Sequence, residues 1–231
     1  IYLNNEVKIT VLSPTNKELE RLEKTWRREL KIKFPTIQLN NDAIFDDAIE
    51  CISLMRRPNN VPSSLRDTST TTNLENLANT LFQEDDDEIN ASSITCIIEF
   101  KDKKMLLLGD SIPSIIETQL KEMYGDEDFP LFFDAIKVAH HGSAKNTSNE
   151  LLNIIDSEHY FISTNGSIHG HPDIETIAKI IVRGDKRKFR NIYFTNHLPK
   201  LSIFNKKEWQ QTYQYRTHYR ITAEDNLQIY L

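Results

Sequence analysis

What the chain lacks narrows the field first. Two of its 231 residues are cysteine. Cys51 and Cys96 lie far apart, each in an apolar run, so they read as buried free thiols of a reducing compartment. No hydrophobic run approaches the length that crosses a bilayer, and no signal-peptide pattern is present. A cytosolic protein without membrane contact is therefore expected. The net charge is −6. With no global basic excess, any contact with nucleic acid has to come from a local patch. No histidine precedes His140, and all seven lie from there to His218.

The hydrophobic fraction, 39%, is lean but sufficient for a core, and the length fits one large domain or two small ones. The chain starts at Ile1 and enters the strand-like EVKITVL directly. It reads as the later part of a longer polypeptide.

Taken in order, residues 7–12 alternate apolar and polar and stop at Ser13-Pro14, a strand closed by a turn. Thr15 or Asn16 then caps a helix with Leu19, Leu22, Trp26 and Leu30 on one face and mixed charges on the other. Residues 42–55 form a second helical pattern, 56–72 a Pro/Ser/Thr/Asn loop, and 73–82 a short helix. The acidic run 83–88 reads as a solvated linker. Together 15–89 look like a helical, partly disordered insertion that could dock a protein partner, set between residues 1–14 and 90–231 of one α/β sheet.

From Asn90 the texture changes. Residues 93–100 and 104–108 form a hairpin around Lys101-Asp102-Lys103. A helix over 112–124, a strand over 133–139, a helix from the Thr147–Glu150 capping-box spacing to about residue 155, a strand over 159–163, a helix over 173–182 and a strand over 191–195 follow. A closing hairpin spans 217–222 and 227–231. Such alternation predicts an α/β sheet with layered helices, and in these sheets ligands gather beyond the carboxyl ends of the strands.

Three strand ends carry chemistry there. MLLL ends at Gly109-Asp110-Ser111. AIKVA ends at His140-His141-Gly142-Ser143. The strand at 160–163 leads into TNGSIHGHP, which holds Asn165, His169 and His171. Asp110 alone would pass as a helix N-cap, and the paired histidines alone as a turn with one core imidazole. In series they read as a site for metal ligands or acid–base groups. Lys145 and the basic residues Arg183, Lys186, Arg187, Lys188 and Arg190 read either as contacts to a phosphodiester backbone or as solvated charge.

In this order and spacing, ITVLSP (9–14), the Asn-x-x-Ser of Asn90–Ser93, LLLGD (106–110), IKVAHHGS (136–143) and Asn165…His171-Pro172 resemble the second half of a metallo-β-lactamase-fold hydrolase. The subgroup they are most similar to is the ComEC-type DNA-uptake hydrolases. The resemblance covers about residues 5–14 and 90–180. It implies an αββα sandwich with two divalent ions, Zn2+ or else Mn2+, at the sheet edge. It also implies that Asp110 bridges the metals, that the His140-His141 pair supplies a ligand (with His140 directly at the strand end), and that His171 acts on the substrate side. Ser143, Lys145, Asn165 and His169 are the implied substrate contacts. Two such ions about 3.5–4 Å apart activate water and stabilise a leaving oxygen, and hard or borderline ligands such as Asp and His suit them.

The family's His-x-His-x-Asp-His loop has no counterpart here. Asp110 with one or two histidines falls short of the three protein ligands of a catalytic zinc. The missing N-terminal half, in the same polypeptide, as a cleaved fragment or as a separate chain, is thus an expected partner. The expected function is phosphodiester hydrolysis, with DNA as substrate. The alternatives are hydrolysis of another ester, amide or thioester, and a non-catalytic scaffold or regulatory half-domain.

Overall fold

A computed structural model describes residues 1–3, 6–36, 73–125, 129–167, 169–183 and 188–220. The helix expected at 42–55 with Cys51, the loop at 56–72, Lys186, Arg187 and the far arm of the closing hairpin lie outside the described residues.

The described residues form ten strands and seven α-helices. The strands are β1 (Tyr2–Leu3), β2 (Val7–Ser13), β3 (Thr95–Phe100), β4 (Lys103–Leu107), β5 (Leu131–Phe133), β6 (Ala135–Lys137), β7 (Ile155–Ser157), β8 (His159–Ile162), β9 (Arg190–Phe194) and β10 (Tyr215–Tyr219). The helices are α1 (Asn16–Lys33), α2 (Leu74–Ala78), α3 (Glu88–Ala91), α4 (Pro113–Tyr124), α5 (Asn149–Ile154), α6 (Ile174–Val182) and α7 (Lys207–Thr212). Eight strands form one mixed sheet in the order β1-β2-β3-β4-β6-β8-β9-β10, and β5 pairs with β7 apart from it. From β1 to β4 the pairing is antiparallel; from β4 to β10 it is parallel. Parallel pairing stacks the carboxyl ends of β4, β6, β8 and β9 along one edge.

Local chemistry explains most boundaries. Thr15 caps α1 in a capping box with Glu18. Pro113 opens α4, where its missing N–H costs nothing, and Gly125 at φ +58° ends it. The single strand expected at 133–139 is two strands broken at Asp134. Its carboxylate accepts from the Lys104 N–H at 2.8 Å and Lys103 Nζ at 3.1 Å, which fastens the break to β4. Ser148, not Thr147, caps α5, through the Leu151 N–H at 2.8 Å. The described part of the closing segment, β10, pairs parallel to β9.

The helices and one face of the sheet share a core. Leu12, Ile97, Leu106, Ile136, Tyr160, Ile162, Ile192 and Phe194 alternate inward, and Ile116, Leu120, Leu151, Ile177 and Ala178 cover them. Leu74 and Leu77 of α2 join this core at 1% exposure, so the last part of the expected insertion is built into the fold. The opposite face has another character. Val7, Ile9, Cys96, Ile98, Met105, Leu107 and Phe161 are half-buried, and Val11 and Phe100 are exposed. Neighbouring strands place these residues side by side: Val11 by Cys96, Ile9 by Ile98, Ile98 by Met105, and Cys96 by Leu107. The sheet thus has one sealed face and one open apolar face. None of the described helices is long and apolar enough to cross a membrane.

Candidate active site

The polar strand ends meet at the carboxyl edge. After β4 the chain turns at Gly109, φ +56°, where a Cβ would come within 2.6 Å of Ser93 Oγ and 2.7 Å of Ile94 O. Only glycine fits. Ser93 Oγ accepts the Asp110 N–H at 2.9 Å, and the Ser93 carbonyl accepts from Ser13 Oγ at 2.9 Å. Residues of three separate sequence motifs therefore interlock around Asp110. Its carboxylate does not cap α4, whose N-cap is Ile112 with no side-chain bond. Instead it opposes, by its charge, the downward shift that burial imposes on the Lys137 ammonium.

After β6 the backbone takes three successive left-handed residues: His140 (φ +40°), His141 (φ +57°) and Gly142 (φ +86°). Left-handed backbone costs a non-glycine residue about 1 kcal/mol or more. It is held by cross-links: His140 N–H donates to the Gly109 carbonyl at 2.8 Å, and Asp173 N–H to the Gly142 carbonyl at 2.9 Å. The turns bearing Asp110, His140 and His171 are thus tied to one another.

The two histidines part company. His140 turns inward, its ring centroid 5.3 Å from that of His171, and its Nδ1 lies 3.0 Å from Asn146 Oδ1 and 3.7 Å from Asp85 Oδ2. His141 is exposed, with its Nδ1 on the Ser163 carbonyl. His171 is mostly buried. Its Nδ1 has no hydrogen bond and faces Asp173 Oδ2 at 3.5 Å. Burial works against the Asp173 carboxylate. The His171 side chain, the Ala144 N–H at 2.7 Å and the charge on Lys200 outweigh it, so its pKa falls below the ordinary value.

Asp85 belongs to this site although it lies in the run expected to be a solvated linker. Its carboxylate is 10% exposed and accepts from Asn90 Nδ2 at 2.7 Å and Asn146 Nδ2 at 3.1 Å. Burial, the largest influence, raises its pKa, but those bonds and the Asp87 N–H outweigh it and the pKa falls below the ordinary value. Neighbouring Glu84 accepts from both Ser114 N–H and Ser114 Oγ at the start of α4. The run is a strap, not a linker. Asp85 and Asn146 gave no sequence signal of their own. The Asn90–Ser93 motif was the available clue, since Asn90 holds Asp85 and Ser93 holds Asp110.

The other expected contacts are dispersed. Ser143 is buried, and its hydroxyl accepts the Lys145 N–H at 3.2 Å. Lys145, Asn165 and His169 are exposed. Asn165 Oδ1 is occupied by the Ser167 N–H at 3.0 Å and Ser167 Oγ at 2.7 Å. His169 approaches His171 to 6.1 Å between ring centroids. Lys200 reaches the loop through the Gly170 carbonyl. Of the basic cluster, Arg183 and Arg190 are not at this edge. Arg190 and Arg183 pair with buried Asp156 at the amino end of β9, so burial and ion pairing, not a phosphodiester, account for them.

Among the described residues no group of three or more His, Cys, Asp or Glu is placed to hold a metal ion. His140, with Nδ1 engaged, and Asp110 offer part of a donor set. No protein-family model, no curated protein and no solved structure matches the chain.

Proposed function

We propose that this chain is the C-terminal half of a metallo-β-lactamase-like hydrolase that cleaves phosphodiester bonds, with DNA as the expected substrate. One juxtaposition carries the reading. Asp110, His140 and His171 are drawn together at the carboxyl edge of a sheet whose second face is apolar and half-exposed. A second sheet laid on that face completes a sandwich and brings its own strand ends to the same edge. The upstream half then supplies the rest of the ligands.

Two divalent ions, zinc or manganese, supply water activation and stabilisation of the leaving oxygen when bound. His140 would contribute a ligand nitrogen and Asp110 a carboxylate. His171, packed on His140 and backed by Asp173, is placed to hand a proton to the leaving oxygen. Lys145 and His169, exposed at the rim, are the groups left to meet the substrate backbone. Ser143 serves the loop as a cap.

Nuclease assay of the complete protein tests this. Asp110→Ala and His140→Ala each abolish cleavage while leaving a folded circular dichroism spectrum, the melting transition of His140→Ala falling because buried Asn146 Oδ1 loses its partner. Cleavage at the unmodified rate by either folded variant contradicts the assignment.

A further inference from the structure

We infer that Asn146 is a positioning residue that holds His140 as the Nδ1–H tautomer and keeps its Nε2 lone pair free. The inference deepens the reading of His140 as a ligand, and rests on that reading only for the use made of Nε2.

Asn146 is fully buried. Three acceptors surround its amide nitrogen: Asp85 Oδ2 at 3.1 Å, the Ser111 carbonyl at 3.1 Å and the Asp110 carbonyl at 3.3 Å. A flipped amide would set its oxygen against a carboxylate and two carbonyls. Its NH2 therefore points to them. Oδ1 is then left facing His140 Nδ1 at 3.0 Å. An amide oxygen is an acceptor only, so Nδ1 must carry the hydrogen. Asp85 Oδ2, 3.7 Å from the same nitrogen, lies beyond hydrogen-bond distance and leaves Asn146 Oδ1 as the acceptor.

In a neutral imidazole one nitrogen donates and the other accepts. Fixing the hydrogen at Nδ1 leaves Nε2 as the lone pair, whereas free histidine favours the opposite tautomer. The arrangement follows the general logic in which the partner of one ring nitrogen decides the chemistry of the other. It also gives the strained backbone at His140 a purpose. The turn presents Nδ1 to an amide whose own orientation cannot change.

Two-bond 1H–15N correlation spectra of the 15N-labelled chain, taken at mildly alkaline pH, read the tautomer directly. His140 is assigned by the resonance lost in His140→Gln. The expected result is a pyrrole-type Nδ1 and a pyridine-type Nε2. Asp85→Ala leaves this pattern unchanged, because Ser111 and Asp110 still hold the amide. Asn146→Leu shifts His140 toward Nε2–H. Should that variant not fold, the spectrum of the unmodified chain still decides. An Nε2–H tautomer in the unmodified chain overturns the inference whatever the chain cleaves. So does a tautomer that follows Asp85 rather than Asn146. A chain with Nδ1–H at His140 that cleaves no phosphodiester in its complete form retires the proposed function and leaves the tautomer assignment standing.

Discussion

His140 and His171 meet because three turns that are remote in sequence share hydrogen bonds. Each residue in that set has a defined electrostatic setting, and Asp173 offers the cleanest handle on it. Its folded pKa lies below the ordinary value. A carboxylate of this kind stabilises the fold above its unfolded pKa, and the contribution is lost as pH falls through the folded value. The window therefore opens below about pH 4. Asp173→Asn keeps an oxygen for the Ala144 N–H but removes the titration. Urea midpoints measured from neutral to acid pH are expected to fall less steeply for this variant than for the unmodified chain. Identical slopes would show that the Asp173 carboxylate is not held by His171 and Lys200.

The turn after β4 is the element on which the site's geometry depends. Gly109→Ala forces a Cβ into Ser93 Oγ and Ile94 O at a backbone angle that alanine avoids. We expect a loss of about 2 kcal/mol or more in unfolding free energy, measured by urea denaturation. We also expect a displaced Asp110 amide resonance. A change under about 0.5 kcal/mol would mean the turn is looser than described.

Elements of this kind were legible in the chain because their signals are local. Thr15 with Glu18, Pro113, and the apolar spacing of Ile174, Ile177 and Ala178 each announce a helix from neighbouring residues. Strand ends bearing Asp110 and His140 were legible for the same reason. Asp85 was not, since five consecutive acidic residues look alike and only the fold decides which one turns inward. Asn146 was hidden likewise, because its three acceptors come from the strap and from the turn after β4. The break at Asp134 depends on β4, a strand thirty residues away. Two members of the basic cluster were hidden for a related reason: Arg183 and Arg190 are drawn to Asp156, a buried carboxylate that charge counting along the chain does not single out.

At the scale of the whole molecule, the asymmetry of the sheet matters most. One face is sealed, with Leu106, Ile136 and Ile192 at 1% exposure or less. The other spreads half-buried apolar residues across β2, β3, β4 and β8. Lys137 of β6 stands between Leu107 and Phe161, so the contiguous apolar patch is the part on β2, β3 and β4, and a patch of this type marks an interaction face. Ile98, near the middle of it, is flanked by Ile9 and Met105. Ile98→Glu is expected to leave the isolated chain folded and to weaken capture of the proposed upstream half in a binding assay. Capture at unmodified strength by the folded variant would mean that the second sheet does not rest on this face.

The most direct test of the account is the intact mass of everything that copurifies with the chain from its native source, with metal content measured on the same sample. The expected result, if the proposed reading holds, is an upstream segment carrying further histidine ligands, covalently joined or tightly held, and about two divalent ions per complex. This chain alone and free of metal would contradict it.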